Sequence, residues 1–143
     1  MADWAKNVLQ VDKSTSLERT KSFFNSLKSK GEFPDEEFDL LIDFQKIIPV
    51  ITKENDPSWR DANIKAWGTK GCYYFDQEKI DDYTIKFLTA WNGVPDLMKE
   101  LSRQNPDIKI IYTCDLGLGQ HKDGFQEGTF IFQGGNVLME SYG

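Results

Sequence analysis

The chain has 143 residues, 39% hydrophobic and 13% aromatic, which is enough apolar material for one folded domain and too much for a disordered tail. Its formal charge of −6 opposes nucleic-acid backbones and anionic lipid headgroups and favours proteins with basic grooves. The opening MADWAKNVLQVDK has acidic Asp3 where a secretory leader needs a basic start, and no apolar run approaches the ~20 residues of a spanning helix, so a soluble, cytoplasmic protein is expected.

In chain order, WAKNVLQV (4–11) reads as a strand with apolar groups on both faces. TSLE then predicts a helix with Thr15 as N-cap and Glu18 completing a capping box. Leu17, Phe24 and Leu27 share a face of that helix, and Lys28, Lys30 and Gly31 close it. FDLLIDFQKII (38–48) alternates with Phe38, Leu40, Ile42 and Phe44 on one side, the pattern of a half-buried strand. From about 49 to 71 the periodicity dissolves, leaving room for a short helix capped by Ser58. CYYFD (72–76) and YTIKFLTAW (83–91) read as strands on either side of the polar QEKIDD, with Tyr83, Ile85, Phe87, Thr89 and Trp91 on one face. Pro95 opens a helix with Leu97, Met98 and Leu101 as its apolar stripe, ended at Asn105–Pro106. Strands are expected over 107–115 and 125–135 with a glycine-rich loop between them. Helices separated by strands that can pair antiparallel predict a single α+β domain, a ferredoxin-like antiparallel sheet with two main helices on one face.

The residues themselves point to no reaction. His121 is the sole histidine, and with Cys114 it falls short of the roughly four nitrogen or sulfur ligands of a zinc site. Cys72 and Cys114 lack CxxC spacing and read as reduced thiols. GLG at 117–119 precedes a strand rather than the helix that a phosphate loop requires. DEEFD (35–39) and DQEKIDD (76–82) lack the register of a calcium loop. No metal, no cofactor and no catalytic residue is expected. Aromatic strands raise the alternative of a single-stranded nucleic-acid-binding protein that uses the sheet face, though without the basic platform such domains carry.

DWAKNVLQV, FDLLIDFQKIIPV, AWGTK, TAW with its following proline and helix, and EGTFIFQGG occur in one order. In that order they resemble the YubB ferredoxin-like family of small phage- and plasmid-carried proteins. The shared pattern falls on Trp4 with Asn7, on Lys46–Pro49, on Trp67–Lys70 and on Thr89–Trp91 with Pro95. It departs at Ala5, Gly71, Asn92 and Gly93. The resemblance implies a mobile-element origin, a ferredoxin-like core and no established catalytic residues.

Residues 34–61 hold eight acidic against three basic groups. An acidic surface can occupy the basic channel of an RNA-guided nuclease in place of DNA. An inhibitor of a host defence nuclease, of the anti-CRISPR kind, is therefore expected, with Asp35, Glu36, Glu37, Asp39, Asp43, Asp76, Glu78, Asp81 and Asp82 as partner-binding residues. Trp4, Asn7, Trp67, Gly68, Trp91 and Pro95 are expected to be structural, and burial of Trp91 follows from its place on the strand face.

Overall fold

A computed structural model describes residues 4–33, 36–50, 58–69, 76–117 and 125–142, and of 31–33, 36–38, 59, 60, 117, 125 and 126 only the backbone. The elements are β1 (Trp4–Val11), α1 (Leu17–Leu27), β2 (Ser29–Phe33), β3 (Glu36–Leu40), a 3-10 turn (Phe44–Lys46), α2 (Trp59–Trp67), β4 (Glu78–Asp81), β5 (Thr84–Ala90), α3 (Pro95–Gln104), β6 (Ile110–Gly117), β7 (Phe125–Gln133) and β8 (Asn136–Tyr142). β1 lies between β5 and β6, antiparallel to both. The described sheet has six strands in the order β4-β5-β1-β6-β7-β8, each antiparallel to its neighbours, and β2 and β3 form a separate pair.

Alternation gives this sheet two unlike faces. Cross-strand register puts Leu9, Ile85, Tyr112 and Phe130 in one row and Val11, Ile110 and Phe132 in the next. These side chains are buried in one cluster with Phe23 and Leu27 of α1, Phe44 of the 3-10 turn, Trp67 of α2, and Leu97, Met98 and Leu101 of α3. The opposite face carries Val8, Lys86, Thr113 and Thr129 in one row and Ile111, Ile131 and Met139 in another, all exposed or half-buried.

The α+β class agrees with the sequence, and the finer arrangement differs from it. β5 and β6 flank β1 and are linked through α3, so one split β-α-β unit is present. α1 leads instead into the separate β2–β3 pair, and the sheet has more strands than a ferredoxin-like domain, with three α-helices rather than two.

Local corrections have identifiable causes. Ser16, not Thr15, caps α1, its hydroxyl accepting the Arg19 amide at 3.2 Å. The helix closes at Leu27, while Lys30 and Gly31 belong to β2. The expected strand 38–48 is a strand only to Leu40. Beyond it, Gln77 bonds the Leu41 and Ile42 amides and Asp43 caps the 3-10 turn through the Gln45 amide. Leu40, Ile42 and Phe44 are nevertheless buried, because an irregular chain can also turn every second side chain inward. QEKIDD, expected as a loop, contains β4, an edge strand exposed on both faces and thus without an apolar signal. Of the strand expected over 72–76, residues 72–75 lie outside the described residues.

β8 was not expected from the sequence. Gly134 and Gly135, at φ 60° and 81°, form the two-residue turn that folds it back on β7. Trp91 leaves the strand at φ 72° and is 40% exposed, so the buried position assigned to it by alternation is wrong. β5 ends one residue earlier, at Ala90, where the chain turns toward α3.

Candidate functional site

Two places collect the residues singled out by the sequence. The first is a buried polar cluster beneath the start of α3. Asn7, 1% exposed, projects from β1 into the helix-covered face and its amide donates to Ala5 O, Phe87 O and Thr89 Oγ1 at 3.1, 3.3 and 2.9 Å. The Tyr112 hydroxyl donates to Asn7 Oδ1 and accepts the Val94 amide at 2.7 Å. Thr89 donates to Asn92 O at 2.6 Å, and Thr69 donates to Ala90 O at 3.0 Å. Trp67, 4% exposed, donates its indole N–H to Ile48 O at 2.9 Å and meets Phe44 edge-on at 5.7 Å. The segments that carried the resemblance, around Asn7, Ile48, Trp67–Thr69 and Thr89–Pro95, are thus stitched together by hydrogen bonds although they lie far apart in sequence.

Backbone geometry completes the cluster. Gly68 ends α2 in the left-handed conformation at φ 79°, and Pro95 occupies the first turn of α3, where a missing amide is harmless. Gly93 passes so close to β6 that a Cβ there would meet Cys114 Sγ at 2.4 Å. Trp4, at the start of β1 on the open face, is 39% exposed.

The chemistry of this cluster is that of a lock. Burial holds Tyr112 well above the ordinary phenol range. It also pushes the buried Cys114 thiol up to about 11, which keeps the thiol neutral and a poor nucleophile at physiological pH. Among the described residues no buried side-chain nitrogen or oxygen lacks a hydrogen-bond partner. Nor do three His, Cys, Asp or Glu side chains gather as a metal site among them. His121 and Cys72 lie outside the described residues.

The second place is an edge where the two acidic stretches meet. Gln77, just before β4, accepts the Leu41 and Ile42 amides at 2.7 and 3.3 Å and donates to Ile42 O at 3.0 Å. That clamp ties the chain following β3 to the chain entering β4, although 35 residues separate them. Asp39, Asp76, Glu78, Asp81 and Asp82 are all exposed along these two segments. Glu36 and Glu37 lie in β3, where register sets Glu37 opposite Glu32, and Asp35 is outside the described residues.

Several of these acids have local duties. Asp43 accepts from Ser29 Oγ at 2.6 Å and caps the 3-10 turn. Asp81 accepts the Tyr83 amide at 2.8 Å, and this bond first of all lowers its pKa from the ordinary carboxylate value. Asp82 pairs with Lys79 at 3.2 Å. Between this edge and α1 lies a cleft of about 170 Å³ floored by Phe24, Leu41 and Ile85, with Lys21, Lys28 and Lys79 on its rim. Lysines interleave with the acids here: register sets Lys30 opposite Asp39 and Lys86 opposite Glu78, Lys6 and Lys86 line a cleft with Asp76 and Glu78, and Asp81 and Asp82 line the cleft beside α1.

Sequence reasoning missed Gln77, Tyr112 and Thr69. Tyr112 had a usable signal, since alternation along β6 places it with Ile110 on the buried face. A lone glutamine that reaches backbone atoms across the fold leaves no local pattern. No helix among the described residues is long and apolar enough to cross a membrane. No protein-family model, curated protein or solved structure matches this chain.

Proposed function

We propose that the protein acts by binding, its acidic edge occupying the basic nucleic-acid groove of a partner protein, and that the partner is a host defence nuclease of the RNA-guided type. One observation carries the reading: the Gln77 clamp makes a single edge of two acidic stretches, so their charges act together on one partner surface. Long-range attraction between such an edge and a basic channel speeds encounter and selects the partner by sign. The resemblance to small mobile-element proteins supports a defence nuclease as the class of target. It also supports a ferredoxin-like ancestry for the split β-α-β unit around β1.

The alternative, single-strand binding on an aromatic sheet face, has less support. Phe87, Tyr112, Phe130 and Phe132 are buried against the helices, and the rows on the open face are aliphatic, threonine and charged, with Trp4 the aromatic residue at the start of β1. The test is target-DNA cleavage by a guide-loaded RNA-guided nuclease incubated first with the protein. Inhibition is expected, weakening with salt, and it is expected to vanish in the Asp39→Lys, Glu78→Lys, Asp82→Lys triple variant. Equal inhibition by that variant overturns the acidic-edge mechanism. Salt-sensitive binding of labelled single-stranded DNA by the wild type, with no effect on the nuclease, replaces it with the alternative.

A further inference from the structure

The turn between β5 and α3 carries the only asparagine of the chain that is followed by glycine, Asn92–Gly93. In a mobile peptide that pair is chemically labile, because glycine, having no Cβ, lets its own nitrogen reach the asparagine carboxamide. The nitrogen loses its proton and attacks Asn92 Cγ. The Cγ–Nδ2 bond breaks, ammonia leaves, and water then opens the five-membered imide at one of its two carbonyls. Opening one way gives aspartate; opening the other way gives isoaspartate, with the main chain rerouted through the side chain and one carbon longer. In the folded chain the attacking nitrogen and the backbone on both sides of it are held. The Gly93 amide donates to Asp115 O of β6 at 2.9 Å, so the proton that must leave is engaged. Asn92 N–H closes on Ala90 O at 2.9 Å, the Asn92 carbonyl accepts the Thr89 hydroxyl at 2.6 Å, and the Val94 amide donates to Tyr112 Oη at 2.7 Å. Gly93 and Val94 are both buried. Nor can a bulkier neighbour replace the glycine, since a Cβ at 93 would meet Cys114 Sγ at 2.4 Å.

We propose that Asn92–Gly93 is a deamidation site gated by folding: sealed while the turn is docked on β6, open when the turn peels away, and one-way once isoaspartate forms. Attack requires the Gly93–Asp115 bond to break, so the rate follows the population of the opened turn. Trp91, at φ 72°, holds the head of the turn in the left-handed region, and that strain lowers the cost of opening. An isoaspartate puts an extra backbone carbon between the two anchors of the turn, the Thr89 bond to the carbonyl of residue 92 and the Gly93 bond to Asp115 O. The two bonds then no longer fit the spacing together, and α3 loses its fixed entry. Chemical modification of an opened state is what makes unfolding irreversible.

The test incubates the full chain at mildly alkaline pH, in native buffer and in urea above its unfolding midpoint, while peptide mass spectrometry follows the one-dalton gain and the isoaspartate at each asparagine. In urea Asn92 is expected to react fastest of the asparagines, and in native buffer at least about tenfold more slowly, in step with hydrogen exchange of the Gly93 amide. Tyr112→Phe, which removes the acceptor of the Val94 amide beside the turn, is expected to speed the native reaction and to leave the rate in urea unchanged. After return to native buffer the isoaspartate fraction is expected to lack the wild-type unfolding midpoint, while Asn92→Ala taken through the same treatment recovers its own. Equal rates at Asn92 in buffer and in urea overturn the proposal. So does the absence of reaction at Asn92 in urea, or an isoaspartate fraction that refolds to the wild-type midpoint.

Discussion

Beneath α3, Asn7, Thr69, Thr89 and Tyr112 are buried, and each polar atom is matched to another across strands distant in sequence. Along β4 and at the end of β3 the acids Asp39, Glu78 and Asp81 are in contact with solvent, on strands paired with β2 and β5, and the Gln77 side chain links the two stretches. The difference teaches where stability and recognition reside. A satisfied polar cluster in low dielectric gives the chain one way to pack, since any misplacement leaves a buried donor or acceptor unpaired. A solvated acidic edge adds little to the fold and is therefore free to be shaped for a partner.

The largest test of this division uses the tryptophans. Trp67→Ala removes a buried indole, its edge-on contact with Phe44 and its bond to Ile48 O, and is expected to destabilise by about 3–5 kcal/mol in urea unfolding. Trp91→Ala, at a residue 40% exposed, is expected to cost much less. Equal losses would mean that the turn after β5 belongs to the core after all.

Next in size is Asn7→Ala, which strands the Tyr112 hydroxyl and the bond to Thr89 and is expected to cost about 2–3 kcal/mol. Adding Tyr112→Phe is expected to cost less than its separate effect, because the two residues share one bond. Strict additivity in that cycle would show that they act independently.

How far the sequence disclosed these two regions depends on the range of the forces involved. Local pattern was sufficient for β1, for Pro95 at the head of α3, and for the buried set Leu40, Ile42 and Phe44. It was insufficient where an element is exposed on both sides, as in β4 and β8, because burial writes the alternation and neither strand has a buried face. Even so, GlyGly after FIFQ was a readable hairpin signal for β8. Trp91 failed by one residue: alternation carries no mark of where a strand stops. The acidic stretches were legible as charge, yet their union through Gln77 was not, since it depends on a contact across 35 residues.

That contact sets the third expectation. Gln77→Ala removes two acceptor bonds and one donor bond and is expected to cost about 1–2 kcal/mol, with faster exchange at the Leu41 and Ile42 amides. Gln77→Glu keeps an acceptor for the two amides but loses the donor to Ile42 O, so an intermediate loss is expected. If the alanine variant leaves those amides protected, the acidic stretches are held together by something other than this side chain.

The smallest expected effects fall on the acids themselves. The Lys79–Asp82 pair is more than half exposed at Lys79 and half exposed at Asp82, so Coulomb attraction across it is screened and partly offset by the ordering of both side chains. Asp82→Ala is accordingly expected to change stability by no more than about 0.5 kcal/mol while still weakening nuclease inhibition. Asp81 is the informative exception, because its carboxylate accepts the Tyr83 amide in the β4–β5 turn. A folded-state pKa below the ordinary carboxylate value means that this bond stabilises above that value and is lost as pH falls through the folded one. Asp81→Asn is thus expected to destabilise at neutral pH and to converge on the wild type in acid, measured as urea midpoints across a pH series. A constant gap between the two proteins down to pH 2 would show that the turn depends on the shape of the side chain and not on its charge.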